Sequence, residues 1–124
     1  MNIASKILVG FVAVEHLFIL VLEMFLWQSE LGLKIFKMTP EVASASATLA
    51  KNQGLYNGFL AAGLIWALGF ISDKSQKYDT TVFFLGCIIV AAIFGAITAK
   101  PSIIISQGSP AIIALIVTYL ANKK

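Results

Sequence analysis

The sequence predicts an all-α integral membrane protein, a bundle of four transmembrane helices, and three observations predict it. Of the 124 residues, 59% are hydrophobic and 12% charged, with a mean hydropathy of +0.90, a composition unlike that of a soluble domain. Four apolar segments, residues 7–27, 53–71, 80–99 and 102–121, each come close to the roughly 20 residues that a spanning helix needs. Tails and connections use up the remainder, so a single transmembrane domain over 1–124 is expected, with helices near 7–27, 40–71, 80–99 and 102–121.

The first segment follows Lys6, as the core of a signal peptide would. It outruns the ~7–15 residues of such a core, carries Glu15 and His16, and lacks a small-residue cleavage site before Trp27. It is therefore expected to stay in the mature protein. Residues 28–38 mix Leu31, Ile35, Phe36 and Met38 with Glu30, Lys34 and Lys37, a pattern suited to lying in the membrane interface. Thr39-Pro40-Glu41 then combines a capping hydroxyl, a proline at the first helical position and an acid near the positive end of the dipole. Nothing from there to Ile71 requires a break, so a long second helix of about 30 residues, or ~45 Å, should start near Pro40.

Small residues recur every four positions, Gly54, Gly58 and Ala62 in the second helix and Cys87, Ala91, Gly95 and Ala99 in the third. Such stripes let membrane helices approach closely, within the bundle or between copies. The polar turn from Ser72 to Asp79 is short enough to make helices two and three antiparallel neighbours. In the fourth segment, Gln107-Gly108-Ser109-Pro110 interrupts the apolar run. Pro110 removes a backbone donor and clashes with the carbonyl of Ser106, so the helix is either kinked at Gly108–Pro110 or broken there, restarting with Ser109 as its cap.

The formal charge of +3 comes from lysines alone and is spread over every connection, which leaves no nucleic-acid patch. Lys6, Lys74, Lys77, Lys123 and Lys124 fall on the side of the termini, and Lys34, Lys37, Lys51 and Lys100 on the other. That margin of one favours both termini in the cytoplasm of a bacterial cell, with the protein multi-pass in the cytoplasmic membrane. The lone Cys87 lies mid-membrane and reads as a small packing residue.

Chemistry concentrates in the ionisable residues of the first span. A charge at membrane depth costs from ~2.5 to more than 10 kcal/mol, so such groups mark a functional site by default. At 100° per residue, Glu15 and Glu23 lie about 80° apart and His16 about 20° from Glu23, one sector with Ile19 and Leu26 between. On the second helix Gln53 and Asn57 share a face beside Asn52 and Tyr56. Glu23, Asn57, Thr98 and Gln107 come at matching depth from four helices, with Glu15 and His16 deeper. The expectation is one pocket: Glu15, His16 and Glu23 for proton exchange, and Asn52, Gln53, Tyr56, Asn57, Thr98 and Gln107 for binding a ligand.

Four strings carry a resemblance. AVEHLFILVLEMFLW over residues 13–27, NQGLYNGFLAAG over 52–63, FFLGC over 83–87 and QGSPA over 107–111 resemble the signatures of the domain-of-unknown-function 1304 family of small bacterial membrane proteins. The resemblance covers nearly the whole chain and implies four transmembrane helices with no established activity. By motif position it carries over Glu15, His16, Glu23, Asn52, Gln53, Tyr56, Asn57, Gln107 and Pro110.

Three classes of function compete. The first is a site that binds, or acts on, a small lipid-soluble molecule, with His16 (unperturbed pKa about 6.5) exchanging protons at neutral pH. The second is a proton-coupled transporter working as a homodimer; the chain resembles the small multidrug-resistance transporters in outline but lacks their sequence pattern. The third is a structural subunit of a larger membrane complex. No known reaction motif is present, no cofactor is indicated, and one histidine with two acids makes a poor metal site without the Glu-x-x-His repeat of di-iron bundles.

Overall fold

The computed structural model describes residues 1–123; Lys124, counted above among the lysines of the terminal side, lies outside the described residues. Five α-helices follow one another: α1 (Ile3–Met24), α2 (Glu30–Phe36), α3 (Pro40–Gly69), α4 (Lys74–Thr98) and α5 (Ser109–Asn122), with a π-helical turn, Ile104–Gly108, leading into α5. Among the described residues, three stretches are long and apolar enough to cross a membrane, Ile3–Met24, Lys74–Thr98 and Ile104–Asn122, each holding an 18-residue run of mean hydropathy 2.2, 2.5 and 1.7 respectively. α3 is the longest helix, at 30 residues, but the polar residues of its middle keep it out of that set. The protein is therefore all-α, with three candidate membrane spans.

Caps fix the helix starts. Asn2 opens α1, its Oδ1 accepting from the Ser5 amide at 2.9 Å. Asp73 opens α4, accepting from the Gln76 amide at 2.8 Å, so most of the expected 72–79 turn is helix and the α3–α4 connection shrinks to a few residues. Thr39 opens α3 through its Oγ1, which accepts from the Val42 amide at 3.3 Å, with Pro40 as the first helical residue.

The chain divides into two compact units: Met1–Val14 with the chain from Leu60 onward, and Glu15–Phe59. In the first, α1, α3, α4 and α5 all feed one core of Val9, Val12, Ala13, Leu64, Leu85, Ile88, Ala111 and Ala114. Gly63 lies against the ring of Phe84. The Lys77 ammonium donates to the carbonyl of Leu68 at 3.2 Å, a cation at the negative end of α3. The buried face of α4 is Thr81, Leu85, Ile88 and Ala92, so Cys87 and Ala91, expected on the packing stripe, stand about 100° away from it. Gly95 does pack, with Ile103 Cγ2 3.3 Å from where its Cβ would lie.

The fourth segment is neither broken nor capped at Ser109. Ser109 has helical torsions (φ −60°, ψ −48°) and its N–H donates to Ile104 O, five residues back. This wider winding is how the helix accommodates Pro110, which supplies no N–H of its own.

In the second unit α1 ends one residue past Glu23, and the chain turns into α2, capped by Ser29: the Gly32 amide donates to Ser29 Oγ at 3.2 Å and Ser29 Oγ donates to Leu26 O at 2.6 Å. Gly32 is obligatory, because a Cβ there would collide with the carbonyl oxygens of Leu26 and Trp27. α2 ends at Lys37 in the left-handed region (φ 53°). The Trp27 ring meets Phe36 at 4.6 Å, and its Nε1 donates to Ser46 Oγ at 3.0 Å. These contacts tie α1, α2 and α3 together around the turn that follows Glu23.

Candidate functional site

Glu23 belongs to the last turn of α1, and only 7% of it is exposed. Across from it runs the middle of α3, brought close by glycine. A Cβ on Gly54 would come within 2.6 Å of Met24 Cγ, 3.0 Å of Glu23 Cβ and 3.2 Å of Leu20 O, so any side chain at this position forces the helices apart. That approach carries Asn57, one turn further along α3, onto the carboxylate.

Asn57 Nδ2 donates to Glu23 Oε1 at 2.6 Å and to the carbonyl of Gln53 at 3.1 Å. The first bond is short, as bonds to a carboxylate are. Both partners are acceptors, which fixes the orientation of the amide. Two hydrogens are available on Nδ2 and two acceptors use them. Asn57 Oδ1 and Glu23 Oε2 remain as the polar atoms through which the pair can take a ligand.

A second polar station lies two turns back along α1. His16 is 1% exposed, its Nδ1 4.0 Å from Glu15 Oε1. Neighbouring residues on a helix point about 100° apart, so Glu15 is turned partly outward, yet its Oε1 is buried with no hydrogen-bond partner. Between the stations stands Leu20, whose side chain fills the notch at Gly58. Ile19 and Leu26 fall within the angular sector of Glu15, His16 and Glu23, whereas Leu20 lies at its edge. Leu20 was recognisable as the residue four after His16 and three before Glu23, the spacing that keeps a side chain on one helix face.

Of the remaining expected site residues, Asn52, Gln53 and Tyr56 are exposed; Gln53 contributes its backbone carbonyl, and the Tyr56 ring pairs with Phe59 at 6.2 Å. Thr98 and Gln107 belong to the other unit. There Thr98 Oγ1 donates to its own helix at Phe94 O, 2.8 Å away, and Gln107 sits half-buried in the π-turn. Glu23 and Asn57 are thus the expected site residues that hydrogen-bond directly across two helices. Among the described residues no three His, Cys, Asp or Glu side chains group as metal ligands would. Unit one carries two apolar grooves. One, of about 250 Å3, is lined by Leu8, Phe11, Ile105, Ser109, Pro110 and Ile113. The other, of about 710 Å3, runs along the outer face of α4 from Val82 to Phe94.

Comparison with known proteins gives a family and one relative. A family model described as a protein of unknown function, DUF1304, matches residues 10–119. The chain is 38% identical over 121 residues to the uncharacterized protein YpaA of Lactococcus lactis subsp. lactis (strain IL1403), a match that spans 96% of this chain and 99% of that protein. No solved structure matches it.

Proposed function

The chain belongs to the DUF1304 family of proteins of unknown function, and from that premise we propose that it is a four-span protein of the bacterial cytoplasmic membrane that binds a small lipid-soluble molecule at Glu23 and Asn57. The observation that carries the reading is a carboxylate 7% exposed near the end of a membrane span, held by a neutral amide. An ionised group at the centre of a membrane helix costs ~2.5 kcal/mol or more and one near the span end a part of that, whereas a hydrogen bond between membrane helices returns only ~0.6 kcal/mol on average. A ligand that pairs with the carboxylate offsets the difference.

Chain direction supports α3 as the fourth span. Thr81 Oγ1, in the second turn of α4, donates to Met1 Sδ at 3.6 Å, so α1 and α4 start from the same end of their unit. The chain between them has to return across the membrane, and α3 is the helix long enough to do it, at about 45 Å. With both termini cytoplasmic, Glu23 and Asn57 then lie in the outer half of the bilayer. His16 and Glu15 lie near its middle and serve proton exchange with the bound molecule.

Native mass spectrometry of protein released from a mild detergent tests this. Wild type should carry a bound organic molecule that the Glu23→Gln variant lacks. Wild type that is consistently bare, or a variant carrying the same adduct at the same occupancy, would overturn the reading.

A further inference from the structure

The hydrogen-bond inventory of the Glu23–Asn57 pair points to one chemical class of ligand. We propose that the pair takes a lipophilic amine in its protonated, cationic form; this rests on the reading of the pair as a binding site.

Asn57 has spent both Nδ2 hydrogens, on Glu23 Oε1 at 2.6 Å and Gln53 O at 3.1 Å. With the carboxylate ionised, the state in which a neighbouring cation would hold it, the pair presents Glu23 Oε2 and Asn57 Oδ1, two acceptors and no donor. A ligand that itself only accepts, such as a quinone carbonyl or an ester, finds no hydrogen to bind. An alcohol supplies one hydrogen and leaves the charge unbalanced. A primary ammonium supplies up to three hydrogens and the missing positive charge together.

The protein offers no such charge at this point. Among the described residues the ion pair is His16 with Glu15, and no lysine is paired with Glu23. Bare metal cations are a poor match, because hard cations such as calcium want about six to eight oxygen ligands and the pair has two free. Apolar groups flank the pair: the Met24 side chain lies beside Gly54 and the Leu20 side chain beside Gly58, at the end of a long apolar span. A cation that settles there needs a hydrocarbon body to accompany its charged head.

The test compares two probes that differ in the head group alone, a dansyl-labelled octylamine and the same label on octanol. Binding is measured at neutral pH to the protein in phosphatidylcholine nanodiscs, with empty discs subtracted. Wild type should hold the amine about tenfold or more tightly than the alcohol, the scale on which desolvated charge pairs discriminate, and Glu23→Gln should erase the difference. Equal affinity for both probes in wild type, with both weakened by Glu23→Gln, would overturn the cationic ligand while leaving the binding site standing. Neither probe retained above empty discs, or both retained equally by wild type and Glu23→Gln, would overturn the site and the cation proposal with it. Should Glu23→Gln fail to insert, the wild-type ratio decides alone, and a ratio near one overturns the proposal.

Discussion

Three glycines of this chain rank by what a methyl group would strike. At Gly54 a Cβ meets Met24 Cγ, the Cβ of Glu23 and the carbonyl oxygen of Leu20, two of which cannot move without moving α1. At Gly58 it meets the end of the Leu20 side chain, which can rotate, and at Gly10 nothing lies within 4 Å. Overpacking costs of order 1–3 kcal/mol, so Gly54→Ala should lower the melting temperature most, Gly58→Ala less, and Gly10→Ala hardly at all, as read by thermal unfolding in detergent. An equal effect at all three sites would mean that α3 does not approach α1 through Gly54. The same melts check Trp27→Phe, which keeps the ring against Phe36 but deletes the bond to Ser46 and should cost about 1 kcal/mol. The four-residue spacing that made Gly54 and Gly58 legible in the sequence misleads one step later, where Ala61 is buried and Ala62 exposed. Each step of four overshoots a 3.6-residue turn by about 40°, and the buried face drifts off the stripe.

At the scale of elements, α2 depends on Gly32, since the space for a side chain is already occupied by backbone oxygens of Leu26 and Trp27. Gly32→Ala should open the turn between α1 and α2 and expose Lys34 and Lys37 to trypsin, with cleavage faster than in wild type; unchanged digestion would contradict the packed turn. Helix starts with a side-chain cap were open to sequence reasoning. Thr39-Pro40 carries one plainly, whereas Asp73 stands in a polar stretch, residues 72–79, whose spacing alone predicts a turn. The π-turn at Ile104–Gly108 was not legible. A proline signals that a donor is missing, but kinking, breaking and local widening all answer that loss, and packing selects among them. Here Gly108 sits against α4, with Ala92 Cβ 3.4 Å from where its own Cβ would be, and the wider turn keeps the helix running to α5.

For the whole molecule, apolar length and composition made the membrane class legible, yet three stretches rather than four pass as apolar enough to cross. α3 is the helix left out, and the polar residues Asn52, Gln53 and Asn57 in its middle are what lower its hydropathy. Single cysteines at Ser44 and Ser75, both exposed, introduced into a Cys87→Ala background, test the four-span arrangement. Ser44 should label from outside the cell and Ser75 only after permeabilisation; the reverse would invert the protein, and labelling from one same side would remove α3 as a span. The candidate site was legible in part. Helical spacing placed Glu23 and Asn57 on facing sides at one depth, but the same arithmetic could not show which amides turn outward, as Asn52 and Gln53 do, because side-chain direction depends on neighbours that sequence spacing does not name. The central claim is that Glu23 is kept for a ligand and not for the fold. Its most direct test is the melting temperature of Glu23→Gln in detergent, read beside the occupancy of bound molecule. Glutamine can still accept from Asn57 but carries no charge, so the account predicts an unchanged or higher melting temperature together with loss of the bound molecule. A melting temperature lower by roughly 4 °C or more, the scale of about 1 kcal/mol in a domain of this size, with occupancy per folded molecule unchanged, would contradict it.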